Sequence, residues 1–277
     1  TGSRNTALGY QALKNLNIDS SAYNVAVGHH AGLSVTTGTK NTLVGGLAGD
    51  AITTGEYNVA LGQNALSAED TGSRNIAIGF EALRDLNYDG SAYNVAIGWQ
   101  AGLSITTGTR NTLIGGLTGD ALTSGYYNTA LGYQALSGSV SGRNAVAIGY
   151  QALMNENATN TETYNVAVGY TAGAQITTGV RNAILGGLAG DALTTGNYNV
   201  ALGYTALGGE DAGSANTAIG YAALAVQDAG DAYNTAVGFE AGKSVTTGVQ
   251  NTIMGGLAGD ALTTGEQNTA IGYAALS

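Results

Sequence analysis

The strongest constraint on this chain is that it repeats itself. Aligning the asparagine of "RNTALGYQAL" with its equivalents gives Asn5, Asn24, Asn41, Asn58, Asn75, Asn94, Asn111 and Asn128, then Ala145 beside Asn144. The series continues through Asn165, Asn182, Asn199, Asn216, Asn234, Asn251 and Asn268. The spacing is 17 residues, except after the first unit of each block of four, where it is 18 to 20. Sixteen units therefore fall into super-repeats 5–74, 75–144, 145–215 and 216–277. A chain with such a period grows along one axis and buries each unit against its neighbours. Variable length confined to one place, as in "KNLNIDSSAY" from Lys14, marks a loop outside the regular stack.

After its Asn each unit alternates with period two: Thr or Val, then Ala, then Leu, Val or Ile, then Gly. That is a short strand. No unit carries a sustained helical period, and glycine, 45 of 277 residues, recurs at the corners. The pattern predicts an all-β fold, a parallel β-solenoid (β-roll or β-helix) of about sixteen 17-residue coils, continuous over residues 1–277. Parallel strands ~4.8 Å apart would make it a rod of roughly 75 Å. Composition narrows the alternatives. Glycine without a triplet period or any proline excludes collagen, and 44% hydrophobic residues are too many for a disordered tract. No apolar run approaches a membrane span, and a net charge of −10 argues against nucleic acid as a partner. With no cysteine, there is no disulfide framework or thiolate metal site.

The positions within a unit behave as columns. The third residue after the Asn is always aliphatic, from Leu8 and Val27 to Met254 and Ile271, and the seventh is Ala except at Thr118. Such uniformity predicts inward-facing, tightly packed columns. In the third unit of each block the second residue is large (Leu43, Leu113, Ile184, Ile253) while the fifth is Gly (Gly46, Gly116, Gly187, Gly256), which suggests an exchange of volume between these two positions. The Asn column is expected to form an amide ladder along the axis.

The residue before the Asn runs Arg4, Tyr23, Lys40, Tyr57, Arg74, Tyr93, Arg110, Tyr127 and, beyond Arg143, Tyr164, Arg181 and Tyr198. A pure cation column at ~4.8 Å would repel itself, whereas alternation with Tyr doubles the spacing and sets an aromatic face against each cation. The expected role is adhesion between coils. The fifth position gives a second aromatic stripe, Tyr10, Phe80, Trp99, Tyr133, Tyr150, Tyr170 and Tyr204, continued by Tyr221, Phe239 and Tyr273. It suits either a lateral contact between subunits or stacking on cell-surface glycans.

Other chemistry is weakly supported. "GGLAGDA" at Gly45 resembles a calcium-binding nonapeptide out of register and occurs in one unit of four, so Asp50 and Asp120 are too far apart to share an ion. Glu69-Asp70 and Glu210-Asp211 are tempting carboxylate pairs, but neighbours on a strand point to opposite faces. His29-His30 lacks a third ligand, and the Thr-Thr-Gly pairs, as at Thr36-Thr37 and Thr53-Thr54, are too interrupted for an ice-binding array. No catalytic residue, metal site or cofactor is assigned, and the chain reads as non-enzymatic.

The repeat, with "NTALGYQAL", "NVAVG", "NTAIGYAAL" and "TTG", resembles the repeats of bacteriophage tail-fibre proteins and related bacterial surface fibres over the whole chain. It is similar, less closely, to the head repeats of trimeric autotransporter adhesins, from whose shorter cycle the 17 residues depart. The resemblance implies a structural fibre shaft or adhesive stalk that is extracellular, on the cell surface or on a virion, commonly as a homotrimer. The chain opens late in one block phase and stops at "NTAIGYAALS" in a nearly complementary one, which predicts continuation end to end with itself or with further repeats.

Overall fold

A computed structural model describes residues 2–159 and 161–277. The described residues hold no helix and sixteen three-residue strands. The first eight are β1 Thr6–Leu8, β2 Val25–Val27, β3 Thr42–Val44, β4 Val59–Leu61, β5 Ile76–Ile78, β6 Val95–Ile97, β7 Thr112–Ile114 and β8 Thr129–Leu131. The others are β9 Val146–Ile148, β10 Val166–Val168, β11 Ala183–Leu185, β12 Val200–Leu202, β13 Thr217–Ile219, β14 Thr235–Val237, β15 Thr252–Met254 and β16 Thr269–Ile271. The chain divides into two compact units, Thr1–Gln134 and Ala135–Ser277. Within the first, β1 to β8 pair in parallel and in sequence order without a register slip, as in Val25↔Thr42 and Val27↔Val44. Within the second, β9 to β16 do the same. The protein is a parallel β-solenoid of about sixteen coils.

Each strand leads into a glycine that no other residue could replace. The fourth residue after the Asn is Gly in all sixteen coils, with φ between +124° and +144°, a region essentially reserved for glycine. A Cβ on Gly45 would also sit 2.5 Å from the Gly62 carbonyl oxygen of the next coil. The corner is thus both left-handed and in contact with the backbone above it. Left-handed backbone recurs outside glycine: the residue before the Asn and the sixth after it carry positive φ, as at Arg4 (61°), Tyr23 (56°) and Gln11 (57°). Backbone bonds between coils run around much of the cross-section, for instance Lys40 N–H to Ala22, Gly32 N–H to Ala48 and Thr36 N–H to Thr53.

The core is built from the second, seventh, eighth and eleventh positions. The strand centres Ala26, Leu43 and Ala60 are fully buried, as are Ala31, Leu66 and Ile52. The third-position residues are not. They occupy the outer face of the strands, where Leu8 is 67%, Leu131 44% and Ile271 66% exposed. In a three-residue strand whose centre points inward, both ends must point outward. The uniform aliphatic column is therefore a surface, contrary to the expectation from its uniformity.

The exchange of volume is also located differently. The fifth position is on the surface, and a Cβ on Gly46 would meet nothing within 4 Å. The true counterpart of Leu43 is the eighth position, which is Leu in the first and fourth coils of a block and Gly in the second and third. A Cβ on Gly32 would lie 2.7 Å from Leu43 Cδ1, and one on Gly49 would lie 2.8 Å from Leu43 Cδ2. One large side chain thus spreads over two coils and empties the eighth position in both. Leu113 does the same above Gly102 and Gly119, and Ile253 above Gly242 and Gly259. This is the physical origin of the four-coil super-repeat: close packing fixes the summed volume, and one large residue displaces two others.

Candidate functional site

The Asn column is a backbone clamp. Asn24 Oδ1 accepts the N–H of Asn41 at 2.9 Å, and Asn24 Nδ2 donates to the Gly38 carbonyl at 2.8 Å. Asn41 repeats this on Asn58 and Gly55, and Asn182 on Asn199 and Gly196. Amide-to-amide contacts are longer and occur in only some coils, as from Asn111 to Asn94 at 3.2 Å. The expected ladder is therefore mainly side chain to backbone. In the first coil of each block only the Oδ1 half persists, at Asn5, Asn75 and Asn216, and the longer loop that follows puts Ser21, Ser91, Glu162 or Asp231 where the accepting glycine stands elsewhere. Asn5 and Asn75 turn instead to the carbonyls of Ser3 and Ser73, and Asn216 Nδ2 is buried without a partner. The third block places Ala145 there, where an Asn would be half satisfied.

The cation–tyrosine column is assembled as its spacing predicts. The Arg4 guanidinium lies 5.3 Å from the Tyr23 ring, Lys40 Nζ 4.4 Å from Tyr57, Arg110 5.4 Å from Tyr127 and Arg181 5.6 Å from Tyr198. Arg74 sits between Tyr57 at 5.2 Å and Tyr93 at 5.7 Å. Arg4 and Lys40 also donate to the hydroxyls of Tyr23 and Tyr57, and Arg181 to Tyr198 at 3.2 Å. The Tyr57 hydroxyl pushes the Lys40 ammonium up from its ordinary value, chiefly through that hydrogen bond. Tyr164 donates to Glu162 at 2.8 Å.

The fifth-position aromatics are exposed, Trp99 at 50% and Tyr10 at 64%. Several stack along the column: Tyr150 on Tyr170 at 5.2 Å, Tyr204 on Tyr221 at 5.9 Å and Tyr221 on Phe239 at 5.2 Å. Their planes lie within 12° of each other, so those ring faces are turned to one another rather than outward. The glycine of each third coil interrupts the stripe, and the Tyr133, Tyr204 and Tyr273 rings lie close to Gly116, Gly187 and Gly256. Phe80 is exposed in the same column.

Neither carboxylate pair lies on a strand, yet the two members of each face different ways. Glu69 is fully buried while Asp70 is half-buried, and Glu210 is buried while Asp211 is exposed. The eleventh position is otherwise an aliphatic column (Val35, Ile52, Leu86, Ile105), interrupted by Glu69, Ser139, Glu156, Glu210 and Gln227. Reading that column in register would have revealed these buried polar groups. Glu69 accepts the N–H of Gly72 at 2.7 Å, and burial pushes its carboxyl up to about 7. Burial likewise pushes the Glu156 carboxyl up, opposed by Asn165, whose amide donates to it at 3.0 Å. Glu210 accepts from Gly213 at 2.7 Å and from Gln227 at 2.8 Å, and Gln227 accepts from Asn234 at 2.8 Å.

Glu210, Asp211 and Asp228 bring three carboxylate oxygens within 4.8 Å of one another, an approach that the 17-residue register makes legible because Asp228 lies one coil after Asp211. The hydrogen bonds on Glu210 already engage both of its oxygens. His29 stacks on His30 at 3.8 Å and on Tyr10 at 5.4 Å. Burial pushes the Asp50 and Asp120 carboxyls up, and Oδ1 of each is buried without a hydrogen-bond partner. The Thr36 and Thr53 hydroxyls donate to the carbonyls of Thr53 and Asp70 in the next coil, directing them along the stack. Among the described residues no pocket opens, and no helix is long and apolar enough to cross a membrane. No protein-family model, curated protein or solved structure matches this chain.

Proposed function

We propose that the chain is the shaft of an extracellular or virion fibre, a non-enzymatic attachment stalk. The observation that carries this reading is the clamp from each coil to the next. Side-chain amides, backbone bonds and cation–tyrosine contacts all spend their hydrogen-bonding and electrostatic capacity along the stack. A molecule built this way resists extension and fraying, the task of a shaft. The resemblance to tail-fibre and surface-fibre repeats points the same way and implies assembly with copies of itself. Electron micrographs of the native particle test this. Threads whose coil repeat runs without a break are expected, and isolated short particles with both end coils open to solvent would overturn it.

The exposed rings support a second reading, a glycan-binding adhesin that uses the aromatic stripe. Stacking between neighbouring rings counts against it, because a sugar needs a free ring face. Loss of a glycan-array signal on Trp99→Ala with Tyr133→Ala, at unchanged melting temperature, would favour the adhesin.

A further inference from the structure

The outward face of the strands is chemically uniform within each unit. Neither outward position of any of the sixteen strands is charged, in a chain of net charge −10. The first strand position is Thr, Val, Ile or Ala, and the third is Leu, Val, Ile or Met. From β2 to β16 both positions are half-buried or exposed while the centre is buried. An aliphatic face of this extent marks an interaction surface.

We propose that this face is the seat of a second copy of this chain, packed sheet against sheet. Three observations choose that occupant. The first is charge: two copies carrying −10 each repel, and the strand face is where they can approach without opposing like charges. The second is period. Ridges of β-branched side chains recur every ~4.8 Å, and a partner sheet of the same repeat and twist interdigitates with them over many coils. The third is area. Eight coils of one unit span ~38 Å, and the strand with its following Gly spans ~10 Å, giving about 400 Å² per partner. Both partners together bury about 800 Å² on the strands alone, and the exposed fifth-position rings beside them carry the contact toward the ~1,000 Å² that a specific interface has to clear. Exposed tyrosines of the fifth position border this patch in sequence and supply the aromatic rim favoured at interfaces. The contact deepens the fibre reading, on which it rests for where it is used.

Sedimentation equilibrium of the whole protein, with Ile78→Lys, Ile97→Lys and Ile114→Lys combined as a variant, tests the contact. These side chains are outward and half-buried on β5, β6 and β7. The wild type should sediment at about twice the mass of the variant, whether single rods or threads are paired, with the same circular dichroism. A milder set, Ile78→Thr, Ile97→Thr and Ile114→Thr, serves if the lysines prevent folding; it should weaken association at least ~10-fold. A monomeric wild type overturns the proposal, as does a folded variant that still dimerises. Because the chain has no cysteine, a spin label on Ile97→Cys reports only this face. Dipolar broadening there, and none on Thr37→Cys, is expected; the reverse pattern overturns the proposal. Micrographs separate it from the fibre reading. Single-width threads unaffected by the lysines would overturn the lateral contact alone. Discrete dimers without lengthwise growth would overturn the fibre and leave the contact standing.

Discussion

Asn24 Oδ1 accepts the backbone N–H of Asn41 at 2.9 Å, one coil away and out of contact with solvent. A side chain of one coil thereby satisfies the backbone of the next, and the arrangement recurs in nearly every coil. Its cost when broken is set by the buried groups left behind. Asn41→Ala removes the partner of Asn58 N–H and of the Gly55 carbonyl, with an expected loss of about 2–4 kcal/mol. Asn216→Ala removes a partner only from Asn234 N–H and eliminates a buried unpaired Nδ2, so at most about 1 kcal/mol is expected. Urea unfolding of both variants checks the contrast; equal losses would contradict the clamp.

Two adjacent glycines should respond in opposite ways. Gly45 has φ +135° and its Cβ would strike the Gly62 carbonyl oxygen, so Gly45→Ala should cost more than about 3 kcal/mol or prevent folding. Gly46 has open space around its Cβ position, and Gly46→Ala should change stability by less than about 0.5 kcal/mol. Thermal unfolding of the two single variants distinguishes them.

Stability should depend on pH through Glu69. Its carboxyl is raised by burial from 4.5 to about 7, so the folded state holds the proton more tightly than the unfolded chain. The contribution is fully present below about pH 4.5 and is lost as pH rises through about 7, with a ceiling on the order of 3 kcal/mol. Glu69→Gln keeps an acceptor for Gly72 N–H and cannot ionise. Melting temperatures at pH 5 and pH 8 should converge in this variant relative to the wild type.

The cation–tyrosine column should contribute measurably at each contact. A double-mutant cycle of Arg181→Ala and Tyr198→Ala, joined by a ring contact at 5.6 Å and a hydrogen bond at 3.2 Å, should give a coupling of about 0.5–1 kcal/mol. The same column falls to Ala215, Gln250 and Gln267 later in the chain. Amide hydrogens of those coils should exchange faster than those around Arg74. Uniform protection would remove the column from the list of stabilising contacts.

Period and spacing alone specified the solenoid, its coil length, the parallel register of strands such as β2 on β3, and the pairing of Arg74 with its tyrosines. These follow from the sequence because each depends only on which residues recur at one coil position. Which way a position faces was decided by the tertiary structure. A uniform aliphatic column is compatible with a core or with an outer sheet face, and only the buried centre of the three-residue strand placed Leu131 and Ile97 outside. The same holds for volume: Leu43 trades with Gly32 and Gly49 because its two methyl groups reach both coils, a relation between residues that are distant in register. Glu69 and Glu210 lie in a column that the sequence writes as aliphatic elsewhere, and the fold buries them while leaving Asp70 and Asp211 toward water. Repetition encodes local geometry, because identical residues adopt identical backbone; facing and burial arise from closure of the coil in three dimensions and from the coils stacked on either side of it.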